Sequence, residues 1–270
     1  MLPGTADVEF IRAIEELLPA KYRKITSCKE VLCGKSSSKK YSIVTESGDC
    51  LFAKINMGGF EEREKRVLAR LTELAALGHP IVSTIAYGET LKGKYSVRIY
   101  PHLESVSKIR GEQSAFLNEI EQFGRSLHAF HKATLVNLNS RNLLFRQIER
   151  DFQWLLNRRA LELEVQEMAN TALNYLDGPG YRKACLIHGD LHGGNVLRDG
   201  NRIVLCDFDS TYLSDPLLDL AILRNQSNPK VFSIVLKGYG DIVPEPDRGF
   251  LDSINVAVRL RELKGAVEMS

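Results

Sequence analysis

The sequence predicts an α+β protein in two lobes: a small strand-rich N-lobe with one long helix, and a larger, mainly helical C-lobe. Three observations carry this. Up to about residue 100, short apolar runs of strand length alternate with polar turns and are interrupted by one long helical stretch. After Pro101 the apolar residues recur at helical spacing instead. Between two short apolar strands near residues 186 and 206 lies a turn-rich loop dense in Asp, His, Gly and Asn, where an open site is expected. The lobes are drawn at 1–100 and 101–270, joined near Tyr100–Glu104, with a cleft between them.

Taken in order, Val8 to Leu18 places Ile11, Ile14, Leu17 and Leu18 at helical spacing and stops at Pro19. Ile25–Leu32, Tyr41–Thr45 and Leu51–Ile55 read as strands, parted by Gly34-Lys-Ser-Ser-Ser and Glu46-Ser-Gly-Asp. A helix from about Phe60 to Leu77 ends at Gly78-His79-Pro80. Ile81–Tyr87 and Tyr95–Ile99 are two further strands. The second lobe starts with amphipathic stretches over Gln113–His131, Leu143–Leu156 and Leu161–Leu176, the last closed by Asp177-Gly-Pro-Gly. Leu186–Ile187 and Ile203–Cys206 are short strands, and from Asp215 onward the pattern is mainly helical. No internal repeat or low-complexity segment occurs.

Composition narrows the function. A net charge of +2 with no dense Lys/Arg run gives no electrostatic case for nucleic acid. No apolar run approaches the roughly 20 residues that span a bilayer, and Met1-Leu2-Pro3-Gly4 has neither a basic nor an apolar leader region, so neither membrane nor secretion is expected. The five cysteines form no CxxC pair and sit mostly in apolar stretches, which predicts buried thiols in a reducing cytoplasm.

Chemistry concentrates in Leu186-Ile-His-Gly-Asp-Leu-His-Gly-Gly-Asn-Val-Leu and in Val204-Leu-Cys-Asp-Phe-Asp. These set Asp190, Asn195, Asp207 and Asp209 in a turn-rich loop and at a strand end. Phosphoryl transfer needs hard oxygen ligands for Mg²⁺ and a carboxylate to orient the attacking hydroxyl. A carboxylate, an amide five residues on and a second carboxylate after the next strand supply that set. The run H-G-D-L-H-G-G-N…D-F-D, continued by Ser214-Asp-Pro-Leu-Leu-Asp-Leu-Ala, resembles the catalytic loop and metal motif of the aminoglycoside phosphotransferase superfamily, with its choline and fructosamine kinases, relatives of protein kinases.

That resemblance implies a protein-kinase-like fold, ATP and Mg²⁺ as cofactors, and residue roles. Asp190 matches the catalytic aspartate, and Asn195 and Asp207 match the Mg²⁺ ligands. His188 matches a histidine that braces the loop, and Asp219 a structural aspartate of the following helix. Asp209 either faces the metal or caps the next turn, and His192 is assigned to loop packing. The chain departs from fructosamine kinases in carrying His192 and Asp207-Phe-Asp where those have Trp and D-P-A.

A kinase fold also requires a strand lysine for the α/β-phosphates and a helix glutamate to hold it. Lys54, flanked by apolar residues, fits the first role; Glu64, four residues before the apolar Leu68, fits the second, with Glu61 next in line. The loop with Gly34, Ser36, Ser37 and Ser38 lies where backbone amides and hydroxyls approach phosphate. Backbone groups near Tyr100 and His102 are candidates for adenine hydrogen bonds. His128 and His131, at helical spacing, are assigned to packing.

The resulting expectation is a kinase that phosphorylates a hydroxyl of a small polar molecule. The alternatives are a Ser/Thr protein kinase of the same superfamily, a metal-dependent phosphohydrolase built on His188, Asp190, His192 and Asp207, and a catalytically silent nucleotide-binding module. The acceptor and the oligomeric state have no motif. The last helix, Asn255-Val-Ala-Val-Arg-Leu-Arg-Glu-Leu-Lys, is basic where polyamine-binding relatives place carboxylates.

Overall fold

The computed structural model describes residues 5–22, 24–32, 38–106, 113–241 and 245–268. The chain divides into two compact units: Met1–Glu104 with Leu197–Gly200, and Ser105–Val196 with Asn201–Ser270.

The first unit is a five-stranded antiparallel sheet in the order β1-β2-β3-β5-β4, with two helices. Its strands are β1 (Ile25–Glu30), β2 (Lys39–Thr45), β3 (Cys50–Met57), β4 (Ala86–Thr90) and β5 (Tyr95–Pro101). Side chains of a strand alternate between faces, and here the two faces differ sharply. Tyr41, Ile43, Leu51, Ala53, Ile55, Tyr95, Val97 and Ile99 form one apolar face, covered by Ala13 and Ile14 of α1 (Thr5–Leu17) and by Leu18 just after it. The residues between them put Lys40, Lys54 and Arg98 on the other face. α2 (Glu62–Ala76) buries Leu68, Leu71 and Leu74.

One strand is displaced from its expected position. Ile81–Tyr87 reads as a strand, but β4 runs over Ala86–Thr90. Its register is fixed from the far end, by a turn in which Leu91, Lys92 and Gly93 all have positive φ, so that Thr90 faces Tyr95 and Ala86 faces Ile99. Ile81 and Val82 are buried all the same, each 4% exposed, outside that pairing. Their apolarity records burial and not strand.

The second unit contains α3 (Gln113–Ala133), β7 (Val136–Asn139), α4 (Ser140–Leu156), α5 (Leu163–Asp177), β8 (Lys183–Ile187), β10 (Arg202–Leu205), β11 (Tyr212–Ser214), α6 (Leu217–Gln226), α7 (Pro229–Tyr239) and α8 (Arg248–Glu268). The two-residue β6 (Glu104–Ser105) and β9 (Val196–Asp199) straddle the division between the units. Strands β6, β7, β9 and β11 are too short to leave a periodic trace in the sequence. β11, β8 and β7 form a small sheet, with Tyr212 opposite Ile187. α3 and α7 meet almost backbone to backbone: a Cβ on Gly124 would run into the Val235 carbonyl, and one on Gly238 into that of Glu121. The interior is built on Phe130, Leu127, Leu144, Ile148 and Phe250, all fully buried.

Among the described residues the expectation of buried thiols holds for Cys185 alone; Cys28 and Cys206 are partly buried and Cys50 is exposed, and none of the four is in a disulfide. Cys50 opens β3 at the sheet's end, where the alternation points it outward. No helix among the described residues is long and apolar enough to cross a membrane.

Candidate active site

The loop after β8 is held by its backbone, and one buried carboxylate does most of the holding. Asp219 sits in the first turn of α6, fully buried. Its Oδ2 accepts the His188 N–H at 2.7 Å and its Oδ1 accepts the Gly189 N–H at 2.8 Å. A helix N-terminus favours negative charge. Burial alone would raise the Asp219 pKa, but the His131 hydrogen bond, the fields of His131 and His188 and the Gly189 N–H together hold it below the ordinary value.

His131 extends the network outward. Its Nε2 lies 3.0 Å from Asp219 Oδ2 and its Nδ1 2.8 Å from the Tyr239 hydroxyl. Burial pushes the Tyr239 pKa up, which keeps it a hydroxyl donor to Nδ1 and leaves the Nε2 proton for Asp219. The sequence assigns His131 to packing; the structure makes it a link from α7 through α3 to the loop. His128 packs on Tyr239 and bonds its carbonyl. The missed signal was the pairing of a buried histidine with a buried aspartate 88 positions away, which no local pattern can carry.

His188 braces the loop, as the family resemblance implied. It is fully buried, and its Nε2 donates to the Cys206 carbonyl at 2.7 Å while its Nδ1 accepts the Asp190 N–H at 3.3 Å. Those two bonds require the neutral ring, and burial correspondingly lowers its pKa, against the field of Asp219. Gly189 has φ +79°, and a Cβ there would collide with the Ser210 carbonyl, so the residue before Asp190 must be glycine.

Leu191, fully buried, anchors the next position, and the Asp190 side chain is left 49% exposed. The His192 Nε2 stands 3.9 Å from Asp190 Oδ2, and its Nδ1 accepts the Gly194 N–H at 3.0 Å, closing the loop turn. Asn195 donates from Nδ2 to the Asp190 carbonyl at 2.8 Å, and its own carbonyl accepts the Cys206 N–H at 3.1 Å. That last bond ties Asn195 to the residue before Asp207. Asp207 adopts a left-handed conformation, φ 62° and ψ 65°, a cost of about 1 kcal/mol or more that recurs at functional sites. Asp209 is exposed on the short turn that follows.

In the first unit Lys54 lies at the centre of β3, 5% exposed, opposite Lys40 on β2 and Arg98 on β5. Directly opposed residues share a face, so three cations stand in a row. The expected partner of Lys54 is engaged elsewhere. The Glu64 carboxylate accepts Arg98 Nη2 at 3.0 Å through one oxygen and the Glu61 N–H at 2.9 Å through the other. The reason is register: Arg98 stands beside Lys54 on the same face with a longer, forked head, and its guanidinium rests 5.1 Å from the Phe60 ring just before α2.

Gly34, Ser36 and Ser37 lie outside the described residues; Ser38, just before β2, is described. Tyr100 is half-buried on β5, opposite Phe52. The His102 N–H donates to the Cys50 carbonyl at 2.9 Å and its ring meets Ser42 Oγ at 3.2 Å. Strand pairing therefore consumes that N–H, and the other backbone groups near Tyr100 and His102 stay the candidates for adenine.

Asn195 and Asp207 provide hard oxygen donors, and the Asn195 amide oxygen takes no hydrogen bond among the described residues. That donor set suits Mg²⁺. No cluster of three or more His, Cys, Asp or Glu that could hold a metal ion occurs among the described residues.

Comparison with known proteins gives the family and the fold. The phosphotransferase enzyme family model matches residues 30–250. The fold resembles AMP-bound spectinomycin phosphotransferase (TM-score 0.64, 18% identity, covering 97% of this chain and 89% of that one). It also resembles a type I macrolide 2'-phosphotransferase (0.63, 17%, 99% and 94%). A choline/ethanolamine kinase family protein from Mesorhizobium loti is similar too (0.62, 17%, 96% and 83%). No curated protein matches the sequence significantly. With the family's pattern running over residues 30–250, most of its length, this chain belongs to the phosphotransferase enzyme family.

Proposed function

We propose that this protein is a cytoplasmic ATP- and Mg²⁺-dependent kinase that moves the γ-phosphate to a hydroxyl of a small polar molecule. The observation that carries the reading is Asp190. Its backbone is locked by His188, Asn195 and the Asp219-bound peptide before it, while its carboxylate stays open to solvent. A carboxylate so held orients an acceptor hydroxyl and takes its proton without reorganising. Asn195 and Asp207 would hold Mg²⁺, which when bound offsets phosphate charge. Lys54 supplies the cation for the α/β-phosphates, and Arg98 holds Glu64 and with it the start of α2. The spectinomycin phosphotransferase complex with ADP and spectinomycin and an amicoumacin kinase complex with AMP-PNP and Ca²⁺ support a nucleotide and a small-molecule acceptor here.

The test is a thermal-shift titration with ATP and ADP, with and without Mg²⁺, followed by turnover. Mg-ATP raises the melting temperature of the wild type and of Asp190→Asn, and far less that of Asp207→Ala. Asp190→Asn lowers kcat by about 10²-fold or more, the usual size of a general-base contribution. Undiminished turnover in Asp190→Asn would sink the assignment.

A further inference from the structure

Among the described residues, Arg261 on α8 is a cation beside the Asp190 loop with no role assigned so far. Its Nη1 lies 3.4 Å from where a Cβ on Gly189 would stand, so the guanidinium overlies the residue before Asp190. It is partly buried, and no hydrogen bond or ion pair of it is found among the described residues. The acid on the adjoining helix is already engaged: Asp151 of α4, 4% exposed, takes Lys264 Nζ at 3.3 Å and Arg150 Nε at 3.2 Å. The Tyr212 hydroxyl, on the strand next to the loop, is held up by burial while the charge of Arg261 pulls it down, which puts the guanidinium in the same neighbourhood. Asp151 thus already meets two cations, Arg150 and Lys264.

A partly desolvated, unneutralised guanidinium is costly to keep unless a ligand completes it. Its planar fork suits carboxylate and phosphate oxygens. Resting on the kinase reading above, we propose that Arg261 receives an anionic group of the acceptor, so that the hydroxyl compound presented to Asp190 carries a carboxylate or a phosphate. The same geometry disfavours polycationic acceptors, which would meet the Arg261 charge. The acceptor's anion and the nucleotide's γ-phosphate share one chemistry, and the experiment must part them.

The probe is inorganic phosphate, titrated by calorimetry into wild type, Arg261→Met, Arg261→Lys and, as a control on the same helix, the exposed Arg259→Met, each saturated with Mg-ADP. The proposal expects phosphate to bind wild type and Arg259→Met alike. Arg261→Met then weakens binding by about 10- to 100-fold, the size of one charge-assisted hydrogen bond, and Arg261→Lys recovers part of it. Equal phosphate affinity in wild type and Arg261→Met overturns the proposal, as does no phosphate binding to the wild type. A loss of ATP affinity but not ADP affinity in Arg261→Met overturns it too, by giving Arg261 to the γ-phosphate. Failure of every protein, wild type included, to bind Mg-nucleotide refutes the kinase reading itself and is separately visible. Matched acceptors, glycerate against glycerol and gluconate against glucose, add a turnover arm in which faster use of the neutral partner also counts against the proposal.

Discussion

Replacing Asp219 with Asn tests whether one buried charge holds the Asp190 loop. The substitution keeps shape and volume, so packing is preserved and the change is electrostatic. Asp219 accepts from His188 N–H, Gly189 N–H and His131 Nε2 at 2.7, 2.8 and 3.0 Å, and none of these donors can turn to water because the site is fully buried. Asparagine offers one oxygen where the carboxylate offers two, and sets an NH₂ against at least one N–H. Hydrogen bonds to a charged group are worth about 1.5–3 kcal/mol each, and breaking a buried charge network by removing one partner costs about 3–5 kcal/mol. The expected loss is therefore about 3–5 kcal/mol, from a total that for a protein domain is only about 5–15 kcal/mol. Denaturant unfolding of wild type and variant at neutral pH reads it directly as a fall in midpoint at unchanged slope. A loss below about 1 kcal/mol would refute the reasoning, because it would mean that the three donors find other partners or never relied on the charge.

The same centre sets acid sensitivity, and two groups push in one direction. His188 is neutral when folded with a lowered pKa, so its contribution is complete above the ordinary value of 6.5 and falls as pH drops below it toward the folded pKa. Asp219, held below its ordinary 3.8, keeps its contribution down to that value and loses it as pH falls further, through its folded pKa. Melting temperature followed from pH 8 to pH 4 is expected to decline from about pH 6.5, with a shallower decline in His188→Asn; identical profiles for the two proteins would contradict the buried neutral ring. In the first unit, Arg98→Met and Glu64→Gln are expected to be coupled by about 1 kcal/mol, a charged hydrogen bond discounted because the Glu64 side chain is 36% exposed. A double-mutant cycle measures this, and additive effects would return Glu64 to Lys54.

The sequence by itself determined the order of the principal elements and the residues of the Asp190 loop. Both are local: helix and strand periods repeat within a dozen residues, and the segment from His188 to Asp219 packs its donors and carboxylates into about thirty consecutive positions. Even there the sequence was silent on bonding, since neither the neutral His188 tautomer nor the left-handed Asp207 leaves a mark in composition. Tertiary structure decided what depends on distant partners. Glu64 was assigned to Lys54 from helix phase alone, but strand pairing puts Arg98 next to Lys54, and the guanidinium takes the carboxylate. The register of β4 was set by the turn after it and not by the apolar run before it. His131 and Arg261 gained their places from helices separated from the loop by more than fifty residues. Hydrogen bonds and fields act through space, and periodicity along the chain carries no record of which buried donor a given carboxylate will meet.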